Sequence, residues 1–256
     1  MILQLKKKII YGPVRSRRLG LSLGINLFLW DQKVCSFNCV YCQYGWTDFH
    51  VARADSLGEG FPSVDRVTSA LQEALLTEAI KPAYITFSGN GESTLHPNFG
   101  SIVDGVIEIS RQFAPDSRIA ILSNSSTVGD EKIRRALARL DHRIMKLDCG
   151  LSGQFEKYNK PAPGISFEDI TDGLAILSRS AGLTLQTLVA SGGDGNLNSR
   201  NVNAWIARTK RISPQLIQLY TLDRGYPAED LRPADREELV RIKEKAEKEG
   251  LKVEIF

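Results

Sequence analysis

Hydrophobic positions along this chain switch between two spacings. From Leu21 to Leu29 every second residue is apolar: Leu21, Leu23, Ile25 and Leu27 alternate with Ser22, Gly24 and Asn26. That period of two predicts a strand with one apolar face and one small or polar face. The small face either lines a barrel interior near a ligand or serves close packing in a barrel core. Over Ser63–Thr77 the apolar residues Val64, Val67, Leu71, Ala74 and Leu75 fall at helical spacing behind a Ser63 N-cap. The alternation then repeats. Short β-branched or aromatic runs at Pro82–Phe87, Arg118–Leu122, Arg143–Leu147, Leu183–Val189 and Gln215–Thr221 predict strands. Helices are expected from His96-Pro97-Asn98 through Ile109 and over Asp130–Leu140, Ser166–Ser178, Ser199–Lys210 and Pro233–Glu249, with Leu251–Phe256 as one last strand. Repeated strand-then-helix units predict a parallel sheet with right-handed crossovers, an α/β fold. Roughly six units are too few for a closed eight-fold barrel, so an open (β/α)6 barrel and a doubly wound sheet both satisfy the pattern. No linker or low-complexity break interrupts the series, and residues 1–256 read as a single domain with a short N-terminal extension.

One stretch carries chemistry of its own. Cys35-Ser36-Phe37-Asn38-Cys39-Val40-Tyr41-Cys42 holds three of the four cysteines. Soft thiolates on one loop favour an iron–sulfur cluster or zinc. A structural zinc takes four protein ligands, whereas a cubane cluster held by three leaves one iron open to an outside ligand. The fourth cysteine, Cys149, reads as a buried thiol acting as a small hydrophobe. The loop from Gln43 to Pro62 has no clear period and reads as a surface loop with a solvated His50.

In β/α folds the chemistry collects at the C-terminal ends of the strands. Ser88-Gly89-Asn90-Gly91-Glu92 follows the second strand: the glycines permit close backbone approach, and Glu92 offers an anion to a ligand ammonium or a cap to the next helix. Ser123-Asn124 follows the third and suits either ribose hydroxyls or a turn. After the fourth, Lys146 and Asp148 share one face, as a functional charged pair or an internal ion pair. After the sixth, Asp223 and Arg224 form a lip, with Arg224 aimed at a carboxylate or phosphate or joined to Asp223 as a surface pair. Arg15, Arg17 and Arg18 precede the first strand as an anion-binding patch or a solvated turn.

The cysteine loop, with an aromatic just before its last cysteine, resembles the signature of the radical S-adenosylmethionine (SAM) superfamily. Gly12 to Asn26, Phe87-Ser88-Gly89-Asn90-Gly91-Glu92-Ser93-Thr94-Leu95-His96-Pro97 and Tyr220-Thr221-Leu222-Asp223-Arg224 are similar to the group of small wyosine-synthase-related Fe–S oxidoreductases within it. The resemblance implies a partial (β/α)6 TIM-like barrel of the radical SAM type. It implies a [4Fe-4S] cluster on Cys35, Cys39 and Cys42, with SAM on the open iron. It implies SAM contacts from Gly89, Asn90, Gly91 and Glu92, where Asn90 replaces a glycine of the family's segment, and from Tyr41, Ser123, Asn124 and Asp148. Lys146, Asp148 and Arg224 are the expected catalytic residues. The implied reaction is one-electron cleavage of SAM to a 5′-deoxyadenosyl radical, which abstracts hydrogen from a substrate.

A reductase or flavodoxin-type protein is the expected electron donor. Three substrate classes fit: a tRNA base, a partner protein on which an activase makes a radical, and a small molecule or peptide. Wyosine synthases carry further N-terminal cysteines for a second cluster, whereas only Cys149 is left over here. A different class altogether is a non-catalytic Fe–S or zinc module. A net charge of +3 permits a nucleic-acid partner without arguing for one. Clustered free cysteines, no signal-peptide pattern and no membrane-spanning apolar run point to a cytoplasmic protein without membrane association.

Overall fold

The computed structural model describes residues 2–29, 31–57, 60–77 and 81–256. In chain order its elements are β1 (Ile10–Ser16), β2 (Gly20–Ile25), β3 (Val34–Cys35), β4 (Phe49–His50), α1 (Val64–Thr77), β5 (Tyr84–Phe87), α2 (Phe99–Phe113), β6 (Arg118–Ser123) and α3 (Glu131–Ala138). There follow β7 (His142–Lys146), α4 (Ser152–Tyr158), α5 (Phe167–Ala181), β8 (Thr184–Leu188), β9 (Ala190–Ser191), α6 (Ser199–Ile212), β10 (Leu216–Tyr220), β11 (Arg232–Pro233), α7 (Arg236–Lys248) and β12 (Val253–Ile255). β2, β5, β6, β7, β8, β10 and β12 pair in parallel in that order, and β1 adds an antiparallel edge against β2. The expected βα series is present, with the last run of residues as a seventh parallel strand.

The long helices form an outer layer in which each packs on the next, α1 on α2, α2 on α3, α3 on α5, α5 on α6 and α6 on α7. Fully buried Ile85, Phe87, Ile121 and Ile217 of the sheet meet Leu71, Ile102, Leu137 and Leu174 of the helices in one cluster. The other face of the sheet mixes a small apolar cluster of Leu19, Ala120 and Ile144 with polar side chains bonded to one another. Ser22 Oγ lies 2.8 Å from Thr86 Oγ1, and Gln186 Nε2 donates to Gln218 Oε1 at 3.2 Å. Gly24 leaves room there for Tyr11, which is paired with it across the hairpin; a Cβ on Gly24 would sit 2.2 Å from the Tyr11 ring. At Gly24 the small face of β2 therefore serves close packing, an aromatic filling the space a glycine leaves.

Three local features differ from the pattern reading. β2 stops at Ile25, because the Asn26 side chain bonds the Phe28 carbonyl at 2.7 Å and turns the chain. β1 escapes the periodicity because its register shifts between Tyr11 and Val14, around Gly12-Pro13. The loop after the cysteines is packed rather than free. Phe49, Val51, Leu57 and Phe61 cover buried Phe28, Val34, Ala54 and Leu95, and the half-buried His50 pairs with Cys35 between β4 and β3.

The hairpin also meets the far side of the sheet. Arg18 lies over the Tyr220 ring at 4.2 Å and the Phe256 ring at 5.5 Å, and Arg17 pairs with Asp223. The strand-end face is thereby a mouth bounded on both sides. Among the described residues no helix is long and apolar enough to cross a membrane. Truncating Ile121, 0% exposed at the centre of the sheet, to Ala should cost about 2–5 kcal/mol in urea denaturation, whereas Leu76→Ala at a 65% exposed position should stay within about 0.5 kcal/mol.

Candidate active site

The cysteine loop is held from two directions. On one side Val34 bridges to Gly91 just past β5, an approach only glycine allows, since a Cβ on Gly91 would lie 1.6 Å from the Val34 carbonyl oxygen. On the other side the end of α4 receives the loop. The Asn38 amide donates to the Asn159 carbonyl at 3.0 Å, Val40 to Tyr158 at 3.1 Å, and Ala162 to Ser36 at 2.9 Å. All four cysteines are free thiols, with Cys35 buried and Cys39 and Cys42 half-buried.

Two buried carboxylates fix what surrounds the sulfurs. Glu92, 2% exposed, accepts from Thr94 N at 3.1 Å, Thr94 Oγ1 at 2.6 Å, Ser123 Oγ at 3.0 Å and the Asn124 amide at 2.6 Å. Asn124 then extends Nδ2 to Ser36 Oγ at 2.9 Å and to Cys35 Sγ at 3.5 Å. Asp148, 4% exposed, accepts from Lys146 Nζ at 3.0 Å, the Leu188 amide at 2.9 Å, Tyr41 OH at 2.5 Å and Asn159 Nδ2 at 2.8 Å. Asn159 Nδ2 also reaches Cys39 Sγ at 3.6 Å. Each carboxylate thus orients an asparagine that donates to a cysteine sulfur. Buried charges of this kind persist only when their lone pairs are filled, and here they are.

Cys42 has a different neighbour. Lys33 is 3% exposed, and its Nζ donates to the Gly45 carbonyl at 2.8 Å. Burial alone would push this ammonium down, but the sulfurs of Cys42, Cys35 and Cys39, with a hydrogen bond to Cys42, outweigh it and hold the proton on.

Burial pushes the Cys35 thiol up to about 11 and the Cys39 thiol up to about 12. Thiols so placed stay protonated at neutral pH unless a metal displaces the proton. Among the described residues no three His, Cys, Asp or Glu side chains gather closely enough for a single ion. Thiolates that each take a different iron of a cubane need not converge on one point. Three sulfurs on one loop, amide donors beside two of them and a buried ammonium beside the third are a donor set suited to an anionic iron–sulfur cluster.

The other expected site residues divide. Asn90 is fully buried and spends its side chain on the Lys6 carbonyl at 2.7 Å, the Phe28 carbonyl at 3.0 Å and the Lys6 amide at 2.6 Å. It ties down the N-terminal segment and offers a ligand no side-chain atom. Ser123 Oγ is engaged by Glu92 and by the Ser125 amide at 3.0 Å. Gly89 sits at φ +132° against Asn26, where a Cβ would fall 2.6 Å from Oδ1. Lys146 bonds both Asp148 and Tyr220 OH, the latter at 2.9 Å, so the expected charged face does enter the barrel. Burial pushes Lys146 down, while Asp148 and Tyr220 more than restore it and raise it above the ordinary lysine value. Arg224 is exposed and donates to Gln43 Oε1 at 2.9 Å. Its expected partner Asp223 is paired with Arg17 instead. Cys149 is 0% exposed with its sulfur 3.8 Å from Asn159 Oδ1, and burial raises its thiol far above the usual range.

Above these groups opens a cavity of about 380 Å³ between the hairpin, the Tyr41–Tyr44 end of the cysteine loop and Tyr220–Arg224. Lys33 and Asn159, neither of which stands out in the sequence, are the residues that reading missed. An Asn just after a helix and a lone lysine two residues before a cysteine are the only traces they leave there.

The sequence profile of the Radical SAM superfamily matches residues 31–197. The chain belongs to the radical SAM superfamily. It is 30% identical over 94% of its length to a protein called GTPase Obg in Brachyspira hyodysenteriae, of which it spans 34%. It is also 30% identical over 85% of its length to a UPF0026 protein of Synechocystis, of which it spans 77%. Among solved structures, a radical SAM methyltransferase from Sphaerobacter thermophilus superposes with a TM-score of 0.67 at 11% identity, over 92% of this chain and 65% of that one. TYW1 with a lysine–pyruvate adduct bound gives 0.61 at 11% identity, over 88% and 73%. These likenesses identify the fold as the superfamily's partial TIM barrel.

A radical SAM core built this way should be sensitive at Gly91. Gly91→Ala forces the Val34 backbone away and with it Cys35. The expected result is loss of iron after anaerobic reconstitution together with a lower melting temperature, read by iron assay and thermal denaturation.

Proposed function

We propose that Cys35, Cys39 and Cys42 each bind one iron of a [4Fe-4S] cluster and that SAM takes the remaining iron, as the superfamily's chemistry requires. The observation that carries this reading is the three-cysteine loop locked between Gly91 and Asn159, with an N–H donor at each sulfur. When bound, cluster and SAM supply a one-electron cleavage that gives methionine and a 5′-deoxyadenosyl radical able to take hydrogen from a substrate in the mouth. An electron donor is needed, and a reductase or flavodoxin-type protein fits that role.

The chain's own residues bind, orient and exclude water. Gly89 and Gly91 let Asn26 and the Val34 backbone lie against the segment after β5, which fixes the cysteine loop beside it. Asn124 stands where strand end and cysteine loop meet, so its amide can serve both sulfur and cofactor. Asp148 accepts from four donors and acts as a positioning residue that aims Tyr41, Asn159 and Lys146. Lys146 keeps its proton at neutral pH and holds a fixed cation against the rings of Tyr41 at 4.8 Å and Tyr220 at 5.1 Å, both of which line the cavity. A lysine held this way is a poor amine nucleophile, which argues against a carbonyl adduct like the one in the TYW1 structure.

Two measurements test the reading. Anaerobic protein reconstituted with iron and sulfide should release 5′-deoxyadenosine from SAM under strong reductant, and Cys39→Ala should abolish it; product from that variant would refute the assignment. In Asn159→Ala the donor to Cys39 is lost, so the cluster's midpoint potential should move to more negative values by redox titration, with iron content retained. An unchanged potential would make Asn159 a purely structural pin.

A further inference from the structure

Four arginines and one aspartate line the mouth, and they are not equivalent. Arg17 is neutralised by Asp223, and Arg224 is bonded to Gln43. Arg15 is exposed at the rim. Arg18 is half-buried, and among the described residues no carboxylate lies in contact with it. Its guanidinium carbon lies 4.2 Å from the Tyr220 ring centre and 5.5 Å from that of Phe256, and its Nε is a buried donor with no hydrogen-bond partner among the described residues.

A desolvated guanidinium on aromatic faces is stabilised through its π-face, which leaves its in-plane N–H fork for an oxyanion. A buried donor left empty is a standing cost, which a ligand carrying the acceptor would remove. The Tyr220 hydroxyl is itself engaged, accepting from Lys146 Nζ and donating to Gln186 Oε1, so the ring that carries the guanidinium is fixed. From Arg18 the wall runs over Tyr220 toward Tyr41 and Cys42, so a ligand anchored there extends toward the cysteine loop.

We propose that the mouth takes a small molecule bearing a carboxylate or phosphate group, which docks on Arg18 and places the rest of the molecule toward the cysteine loop. The inference rests on the radical SAM reading for its reacting centre but not for its anion site. A cavity of about 380 Å³ is the size of a small-molecule pocket, which favours a metabolite-sized ligand over a nucleic-acid strand.

The test uses cluster-reconstituted protein at fixed ionic strength, titrated calorimetrically with succinate and, separately, with inorganic pyrophosphate. Each titration is run with and without SAM, and SAM binding is measured on its own. Saturable one-to-one binding of at least one anion is expected, and the better probe tells carboxylate from phosphate. Arg18→Gln should weaken it about tenfold, the worth of one charge-assisted bond, with SAM affinity unchanged. Arg18→Lys, which keeps the charge and loses the fork, should fall between. Arg17→Gln should change it less, because that charge is already paired.

The proposal is overturned if wild-type protein binds neither anion. It is overturned equally if Arg18→Gln binds the anion as wild type does, or if it loses SAM in step with the anion, which would make Arg18 a cofactor contact. Binding of a tRNA transcript that depends on Arg18, with no small anion bound, would overturn the small-molecule class. Failure to cleave SAM in an otherwise anion-binding protein would count against the radical reading alone.

Discussion

A carboxylate in the middle of a protein must be surrounded by donors, and Asp148 is surrounded by four of them from four places in the chain. That requirement organises the strand-end face. It brings the last turn of the cysteine loop, the residue after α4, the inner edge of β8 and the end of β7 to one point. Glu92 does the same on the other side with Thr94, Ser123 and Asn124. Neither carboxylate reacts in the proposed chemistry. Each converts a flexible sulfur-bearing loop into one whose side chains have a single arrangement. Satisfied networks of this kind are where a fold gains specificity, and partly satisfied ones are where it fails.

Much of the scaffold was legible because its signals are local. A period of two or of 3.6 survives whatever the chain does elsewhere, so each predicted helix is present within a few residues. α5 is opened by Ser166 accepting from the Asp169 amide at 3.2 Å, while α7 waits for a capping box at Asp235 and Glu238 rather than starting at Pro233. The cysteine loop is legible for another reason: three metal-binding residues lie within one loop's reach. β1 and α4 were not, the first because a register shift hides its period, the second because its seven residues are too few to display one.

The residues whose partners do not show in the sequence share one physical cause. Asn90 stands where a ligand contact is expected, but its partners Asn26 and Lys6 are 64 and 84 positions away, and nothing local announces them. Asp223 and Arg224 are adjacent, yet the carboxylate goes to Arg17, 206 positions away. Asn159 and Lys33 gained their roles in the same fashion, from tertiary approach. Polar side chains are poor predictors of their own partners because a hydrogen bond is short and directional, whereas burial is collective and periodic.

The two edges of the sheet come together without sharing a ladder. Strand pairing ends at β1 on one side and β12 on the other, and among the described residues Arg18 on Tyr220 and Phe256 and Arg17 on Asp223 reach across the gap at the mouth by side chains. Backbone ladders fix a spacing; side chains across a seam do not. The turn of the hairpin that carries Arg17 and Arg18 is therefore a part of this barrel that can change composition without breaking a ladder between parallel strands. Within a shared cofactor scaffold, it is the natural place for relatives to diverge in what they admit.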